Sequence, residues 1–388
     1  MCPNNSDEPD TESVINAVSG NPLPVASVLS HLVDVHCHPT DNSPILDEHI
    51  NVVQLGKICA MASNSDDQAK VRELGERMGD RVVMCFGYHP WWSHRISISD
   101  TPLPTEEHYR TLFSPTDKQE EAFQRLLALL PPPRPLNDIL QELRQNLQFS
   151  PSTMLGEVGI DRAFRVRFSQ QEGEFKLSPF TVPNDHQMAI LEAQIDVAVE
   201  LGRNISLHSV KASGATIELF KKMRSRHGLA WEKINVDLHS CTLSAETWKS
   251  VEKAHQNVYL SLSTAINVRA NSTAMIQLIH NCDPTRIMAE SDFPYLSDTT
   301  QRTWDVLCLI ARERGWRLEE KWDYPEAETQ PDGQHDVTWG AVKRIEANWN
   351  AFRKGGRGFL PEKESRRERR MNELQRRYAP TDEDSDVD

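Results

Sequence analysis

The sequence lacks long hydrophobic runs. Its longest apolar segments have the length of β-strands, well below the roughly 18 residues of a membrane span. The N-terminal segment MCPNNSDEPDTES is polar and has no apolar stretch of the kind found in secretory signals. We therefore expect no membrane association and a location in the cytoplasm, the nucleus or both.

Positive charge is outnumbered, with 43 Lys and Arg against 57 Asp and Glu. The formal net charge is −14, which argues against a broad nucleic-acid-binding surface because such surfaces gather many lysines and arginines. A phosphate substrate would then have to be held locally, for example by metal ions. The 7 cysteines are odd in number and scattered, mostly inside apolar segments. We therefore predict reduced, packed thiols and no disulfide framework.

Strand-like apolar segments alternate with amphipathic helical stretches. Strands are predicted at 32–38, 57–63, 81–89, 153–161, 203–209, 234–240, 258–263 and 286–292. Helices are predicted at 66–78, 118–147 with a break at the proline run, 185–201, 213–225, 244–254 and 271–281. This alternation predicts a TIM-type (β/α)8 barrel of the α/β class. An open, doubly wound sheet fits less well, because no glycine-rich turn follows the first strand.

The length of 388 residues exceeds the roughly 250 that a barrel needs. A hydrophobic content of 38% is low for a fully packed chain, which indicates polar tails and insertions. We predict a disordered tail at 1–27, the barrel at 28–355 and a charged tail at 356–388. Insertions are predicted near 94–150, beginning with a partly helical loop at 94–135, and at 162–184, where the chain could wall the active-site mouth.

Residues that coordinate divalent metals recur at the ends of the predicted strands. His36 and His38 end the first strand, and the two-residue period of a strand directs both imidazoles to one side. Glu157 lies on the fourth strand, where a buried carboxylate needs a metal, another cation or a proton to offset its desolvation. Its two oxygens suit it to bridging two ions. A structural histidine pair and a salt-bridged glutamate are the alternatives.

His208 and His239 follow one pattern on consecutive strands. Each takes the last inward position and is followed by serine, which favours a shared role over two unrelated core histidines. Asp292 closes the eighth strand just before Pro294 ends it. Its carboxylate could ligate a metal and accept a proton from water, or alternatively cap a helix. The six side chains together predict a two-metal hydrolase centre.

Six motifs in order carry a resemblance to a known family. They are HCH (36–38), GYHP (87–90), GEVGID (156–161), LHS (207–209), LHS (238–240) and ESDFPY (290–295). Over residues 31–296 the chain resembles the TatD-like metal-dependent deoxyribonuclease family, in particular its divergent fungal members. The resemblance implies an amidohydrolase-type barrel with two metal sites. One metal would be bound by His36, His38 and Asp292, and Glu157 would bridge to a second held by His208 and His239.

The resemblance further implies a phosphodiesterase that acts on DNA ends or single strands. Two divalent ions, whether Mg, Mn or Zn, would activate a water for in-line attack. Asp292 would take the proton of that water, with Glu157 as the second catalytic residue. His89, in a turn beside Trp91 and Trp92, is a candidate for phosphate contact or base stacking, with a structural turn histidine as the alternative.

The chain departs from the family pattern around the predicted ligands. Val210 stands where the family has an arginine. Lys211 is therefore the candidate for the positive charge that would contact substrate, although lysine lacks the planar guanidinium of arginine. Residues 240–242 read Ser-Cys-Thr instead of Phe-Ser-Gly, and Ser291 replaces threonine. Two other functions remain open. One is a small-molecule amidohydrolase; the other is an interaction protein with a vestigial metal site that binds a protein partner through its C-terminal tail.

Overall fold

A computed structural model describes residues 20–41, 44–99, 101, 103–168, 176–325 and 336–357. Its centre is an 8-stranded parallel sheet in the order β1-β2-β3-β6-β7-β8-β9-β10. These strands are β1 Val33–Cys37, β2 Lys57–Met61, β3 Val82–Phe86, β6 Met154–Asp161, β7 Ile205–Val210, β8 Val236–Leu238, β9 Val258–Leu262 and β10 Ile287–Ala289. A second sheet pairs β4 Ile96–Ser97 with β5 Arg134–Pro135. All the predicted barrel strands are therefore confirmed.

The end of the first strand pairs with the segment that follows the last strand. The backbone N–H of Asp292 donates to the carbonyl of His36 at 2.9 Å, and that of His38 donates to the carbonyl of Phe293 at 3.0 Å. These bonds bring β10 against β1 and nearly close the sheet into a cylinder. The predicted TIM-type barrel is confirmed, and the carboxyl ends of its strands converge at one mouth.

Helices surround the strands. The predicted helices appear as Gln68–Met78, Glu120–Leu127 with Leu136–Gln148, Asn184–Leu201, Ser213–His227, Ala245–Ala254 and Arg269–Asn281. The further helices are Ala26–Leu29, Asp47–Asn51, Thr105–Phe113, Leu229–Glu232, Leu296–Arg314 and Ala341–Lys354. The helix Leu296–Arg314 was not predicted from the sequence. Its first half buries Thr299, Thr300 and Thr303, so apolar residues do not recur there at the spacing of a helix.

Two apolar layers stabilise the barrel. The larger packs the outward side chains of the strands against the surrounding helices, and the smaller fills the interior with residues such as Val35, Cys59, Met154 and Met288. Trp349 and Phe352 of the helix Ala341–Lys354 belong to this interior layer. The inner floor of the barrel is therefore largely apolar.

The two predicted insertions pack on each other. Tyr109, Phe123 and Leu126 from the first insertion form one cluster with Val166 and Phe180 from the second. The second insertion folds back on itself, since the N–H of Val166 donates to the carbonyl of Phe180 at 2.9 Å. This shared cluster gives both insertions a fixed place beside the barrel.

Part of the predicted N-terminal tail contacts the barrel. The backbone N–H groups of Gly20 and Asn21 donate to the Asp305 carboxylate at 3.0 and 2.9 Å, and Trp304 donates its indole N–H to the carbonyl of Pro22 at 2.9 Å. Residues 20–22, which lie within the segment predicted as a tail, therefore have hydrogen-bond partners on the helix Leu296–Arg314. Residues 1–19, and the part of the charged tail at 358–388 that was predicted to bind a partner, lie outside the described residues. Within the described part, no helix is both long and apolar enough to cross a membrane.

Candidate metal centre

Glu157 lies at the centre of the barrel mouth, delivered by β6 and only 3% exposed. Its Oε1 is 2.8 Å from His208 Nδ1 and 2.7 Å from His239 Nε2. Its Oε2 faces the other way, 3.1 Å from His38 Nε2 and 3.7 Å from His36 Nε2. The two carboxylate oxygens therefore address two different histidine pairs.

The first group consists of His36, His38 and Asp292. The two Nε2 atoms lie 3.1 Å apart, and Asp292 Oδ1 is 3.9 Å from that of His36 and 3.6 Å from that of His38. The strand parity of β1 places both imidazoles inward, as the sequence predicts. Asp292 follows β10 with φ of 47°, a left-handed conformation that is costly for a non-glycine residue and is held here by the bond to His36.

The second group consists of His208 on β7 and His239 directly after β8. His208 Nδ1 lies 3.2 Å from His239 Nε2. The neighbouring strand approaches closely because Gly159 has no side chain: a Cβ there would lie 2.1 Å from the carbonyl oxygen of His208. All six predicted metal ligands are thus brought together in two groups joined by Glu157.

His89 also belongs to this cluster. Its Nδ1 accepts the backbone N–H of Trp91 at 3.1 Å, and its Nε2 lies 3.3 Å from Glu157 Oε1. Burial lowers the pKa of His89 to about 4. The ring is therefore neutral with its proton on Nε2, aimed at the carboxylate. By contrast Lys211 is exposed, one residue beyond β7, with φ of 51°.

The charges of the cluster are balanced internally. Burial alone would raise the pKa of Glu157, but His89 and His239 outweigh it and hold that pKa well below its usual range. Burial likewise opposes protonation of His38, yet the carboxylates of Asp41 and Glu157 raise its pKa to about 10. Burial and the neighbouring His239 lower the pKa of His36. The lowered pKa of Glu157 favours the carboxylate form, which is the form that a metal ligand requires.

Several supporting residues hold the cluster in place. Ser206 Oγ hydrogen-bonds His36 Nδ1 at 2.8 Å. Asp161 Oδ2 lies 3.5 Å from His208 Nε2 and accepts the Trp91 indole N–H at 2.6 Å. Asp161 could be suspected from its inward parity with Glu157. Ser206 carries no sequence signal, because a lone serine on a strand is common.

A hydroxyl and a carboxylate support Asp292 from below. The Ser240 hydroxyl lies 2.5 Å from Glu290 Oε1 and 3.2 Å from Asp292 Oδ2, and the Ser240 N–H donates to Glu290 at 2.7 Å. Glu290 has the inward parity that the sequence indicates. The role of Ser240 depends on its φ of 39°, which sequence patterns do not reveal.

The donor set fits divalent cations. Side chains able to hold a metal fall into overlapping groups: His36 with His38 and Glu157, His89 with Glu157 and His208, and His36 with His239 and Glu290. The Nε2 atoms of His36 and His38 lie 3.1 Å apart and both face Glu157 Oε2, so two ring nitrogens and a carboxylate oxygen converge on one point where a cation could replace a proton. Mixed imidazole and carboxylate donors suit Zn, Mn or Fe better than Mg alone.

Fold and site together define a metal-dependent hydrolase of the barrel type. The family described as TatD related DNase matches residues 33–323, and the chain belongs to this family. Members of the family hydrolyse ester bonds, and this chain is an enzyme of that class.

The matches to named relatives cover nearly the whole length of each relative. Cut9-interacting protein scn1 of Schizosaccharomyces pombe is 27% identical over 329 residues, covering 75% of this chain and 95% of the relative. Uncharacterized deoxyribonuclease YMR262W of Saccharomyces cerevisiae is 26% identical, covering 71% and 93%. Deoxyribonuclease TATDN3 of Homo sapiens is 24% identical, covering 74% and 89%.

Solved structures share the fold. The TatD homologue YJJV from Escherichia coli K12 superposes with a TM-score of 0.53 at 16% identity, covering 84% of this chain and 98% of that one. A TatD family hydrolase from Entamoeba histolytica gives 0.50 at 12% identity, covering 83% and 97%. At these identities the likeness concerns the barrel and not the substrate.

Proposed function

We propose that the protein is a phosphodiesterase that removes nucleotides from the ends of DNA strands with the help of two divalent metal ions. The observation that carries this proposal is the position of Glu157. One oxygen faces His36 and His38 while the other faces His208 and His239. A carboxylate placed in this way could bridge two neighbouring metal ions.

Each side chain has a role in this proposal. His36, His38 and Asp292 would hold one ion, His208 and His239 would hold the other, and Glu157 would lie between them. Bound ions would polarise a phosphodiester and lower the pKa of a water. Asp292 would accept a proton from the attacking water on Oδ1, while its Oδ2 is 3.2 Å from the Ser240 hydroxyl. His89 keeps its neutral Nε2–H as a hydrogen-bond donor.

The surroundings suit a single strand of nucleic acid. Trp91 is 37% exposed at the mouth, stacks on Phe164 with centroids 5.5 Å apart, and lies 4.7 Å from the His89 ring. Such an anchored and exposed indole can stack a base. Lys211 supplies a solvent-accessible charge beside β7. Two of the relatives are named deoxyribonucleases, which supports DNA as the substrate.

The experiment is nucleotide release from end-labelled single-stranded DNA in the presence of Mg²⁺ or Mn²⁺. Glu157→Gln keeps the size of the side chain but removes the bridging charge, so it should lower the rate by about 100-fold or more. The control is Glu320→Gln at an exposed position, which should retain full activity. Full activity of Glu157→Gln at unchanged thermal stability would refute the proposal.

A further inference from the structure

A cavity of 490 Å³ lies beside the metal centre, between the ends of β2 and β3 and the first insertion. Small-molecule sites commonly have volumes of about 300–1,000 Å³. Tyr88 lines the cavity and immediately precedes His89. Trp92, which also lines it, donates its backbone N–H to the carbonyl of His89 at 2.9 Å. The cavity and the metal centre therefore share one turn of the chain.

Arg95 brings a positive charge to this cavity, and the carboxylate that acts on it electrostatically is the exposed Asp66. Its guanidinium lies 4.4 Å from the centroid of the Trp92 ring, which fixes its orientation. Its Nε is buried without a hydrogen-bond partner, and among the described residues its side chain has no ion pair. Arg95 as a whole is half-buried, and arginines withdrawn from water are normally paired with an acid. A half-buried guanidinium that lines a cavity and has no ion pair within contact distance is suited to an anionic ligand.

The other cavity walls are polar on one side and apolar on the other. Arg134 donates to Ser65 Oγ at 2.8 Å and to the Tyr88 hydroxyl at 3.2 Å, while its charge is matched by Glu142 at 2.7 Å. Asp66 lies at the exposed edge of the lining. Apolar surface comes from Ile96, Ile139 and the 128–132 segment. Arg95 is therefore the charge available to a ligand, and the apolar wall can receive a flat ring.

We propose that this cavity binds one nucleotide of a DNA strand, with its phosphate on Arg95 and its base against the apolar wall. A guanidinium matches phosphate with two parallel hydrogen bonds. Because the net charge of the chain is −14, a local positive site of this kind would add to the metal ions in holding a polyanion. The inference deepens the proposed function, since the nucleotide would neighbour the one being cleaved.

The test is binding of dAMP, deoxyadenosine and inorganic phosphate to the metal-loaded protein, measured by calorimetry. The variant Arg95→Gln should weaken dAMP binding about 10-fold, as expected for loss of a charged hydrogen bond. Arg125→Gln is the matched control, because its guanidinium lies 4.4 Å over Phe168 outside the cavity, and it should bind dAMP normally. Deoxyadenosine binding as tightly as dAMP would overturn the proposal.

Two further variants separate the cavity from the metal centre. His208→Ala should leave dAMP binding in place; loss of binding in His208→Ala but not in Arg95→Gln would place the nucleotide on the metals and refute the cavity. Ser65→Asp adds a carboxylate at an exposed position and should also weaken dAMP binding without affecting folding. Since these measurements need no hydrolysis, a protein inactive on DNA would contradict the proposed function and leave the nucleotide site standing.

Discussion

The backbone N–H of Asp292 donates to the carbonyl oxygen of His36 across 2.9 Å. This bond joins Asp292, three residues after the last strand, to His36 in the first strand. The same contact therefore closes the barrel and brings two members of the first metal group together. Asp34 strengthens this junction between β1 and the segment after β10. Its Oδ1 accepts the N–H of His36 at 3.2 Å and that of Ser291 at 2.9 Å.

The two hydrogen bonds accepted by Asp34 predict that Asp34→Ala and Asp34→Asn differ in their stability and metal affinity. Asp34→Ala leaves two buried N–H groups without an acceptor and should cost about 1–3 kcal/mol of unfolding free energy and about 10-fold in metal affinity. Burial raises the pKa of Asp34 to about 7, so Asp34→Asn, which keeps the acceptor, should be mild. Urea unfolding and metal titration measure both effects. Equal losses of stability and metal affinity in the two variants would contradict this role of Asp34.

The close approach of β6 and β7 predicts that a side chain at position 159 lowers stability. In Gly159→Ala the new Cβ would meet the backbone of His208 at 2.1 Å, so the strands must separate, and we expect a loss of about 3 kcal/mol in stability with weakened metal binding. The matched control is Gly214→Ala, where a Cβ meets nothing within 4 Å. That helical substitution should be neutral or stabilise by up to about 1 kcal/mol. Chemical denaturation compares the two.

The barrel and the convergence of the ligands could be predicted from sequence because both are local patterns. Each strand is a short apolar run, and the parity of the strand places His36 with His38 and Glu157 with Asp161. The helix Leu296–Arg314 was not predicted, since threonines occupy much of the buried face in its first half. The positions of Ser206 and Ser240 depend on neighbouring strands and on a left-handed backbone, neither of which leaves a sequence signal.

The hydroxyl of Ser240 predicts an effect on turnover rather than on substrate binding. Ser240→Ala removes the contacts to Glu290 and Asp292 at 2.5 and 3.2 Å, so Asp292 loses a fixed orientation. We expect kcat to fall about 10-fold with little change in KM. Steady-state kinetics on an oligonucleotide tests this, with the exposed Ser250→Ala as control. A change confined to KM would argue against positioning of Asp292.

The buried His94 predicts a loss of stability in mild acid. Burial, and then the charge of Arg95, lowers the pKa of His94 to about 3. The folded pKa lies below the unfolded value of about 6.5, so its contribution is present above pH 6.5 and declines as the pH falls towards 3. Between pH 7 and pH 5 this histidine should account for about 1–2 kcal/mol of lost stability.

Removing the imidazole isolates that contribution. His94→Asn should flatten the fall in unfolding free energy between pH 7 and pH 5, measured by urea denaturation at each pH. The same replacement at His280, whose side chain is 49% exposed, should leave the wild-type slope. An unchanged slope in His94→Asn would show that His94 is not the group responsible.

The central claim is that Glu157 joins two metal sites built from His36, His38 and Asp292 on one side and His208 and His239 on the other. Elemental analysis of the purified protein, dialysed against saturating Mn²⁺ or Zn²⁺, tests it most directly. We expect about two equivalents of metal per chain in the wild type and a clear reduction in Glu157→Ala. A wild-type chain that retains no metal under these conditions would contradict the account.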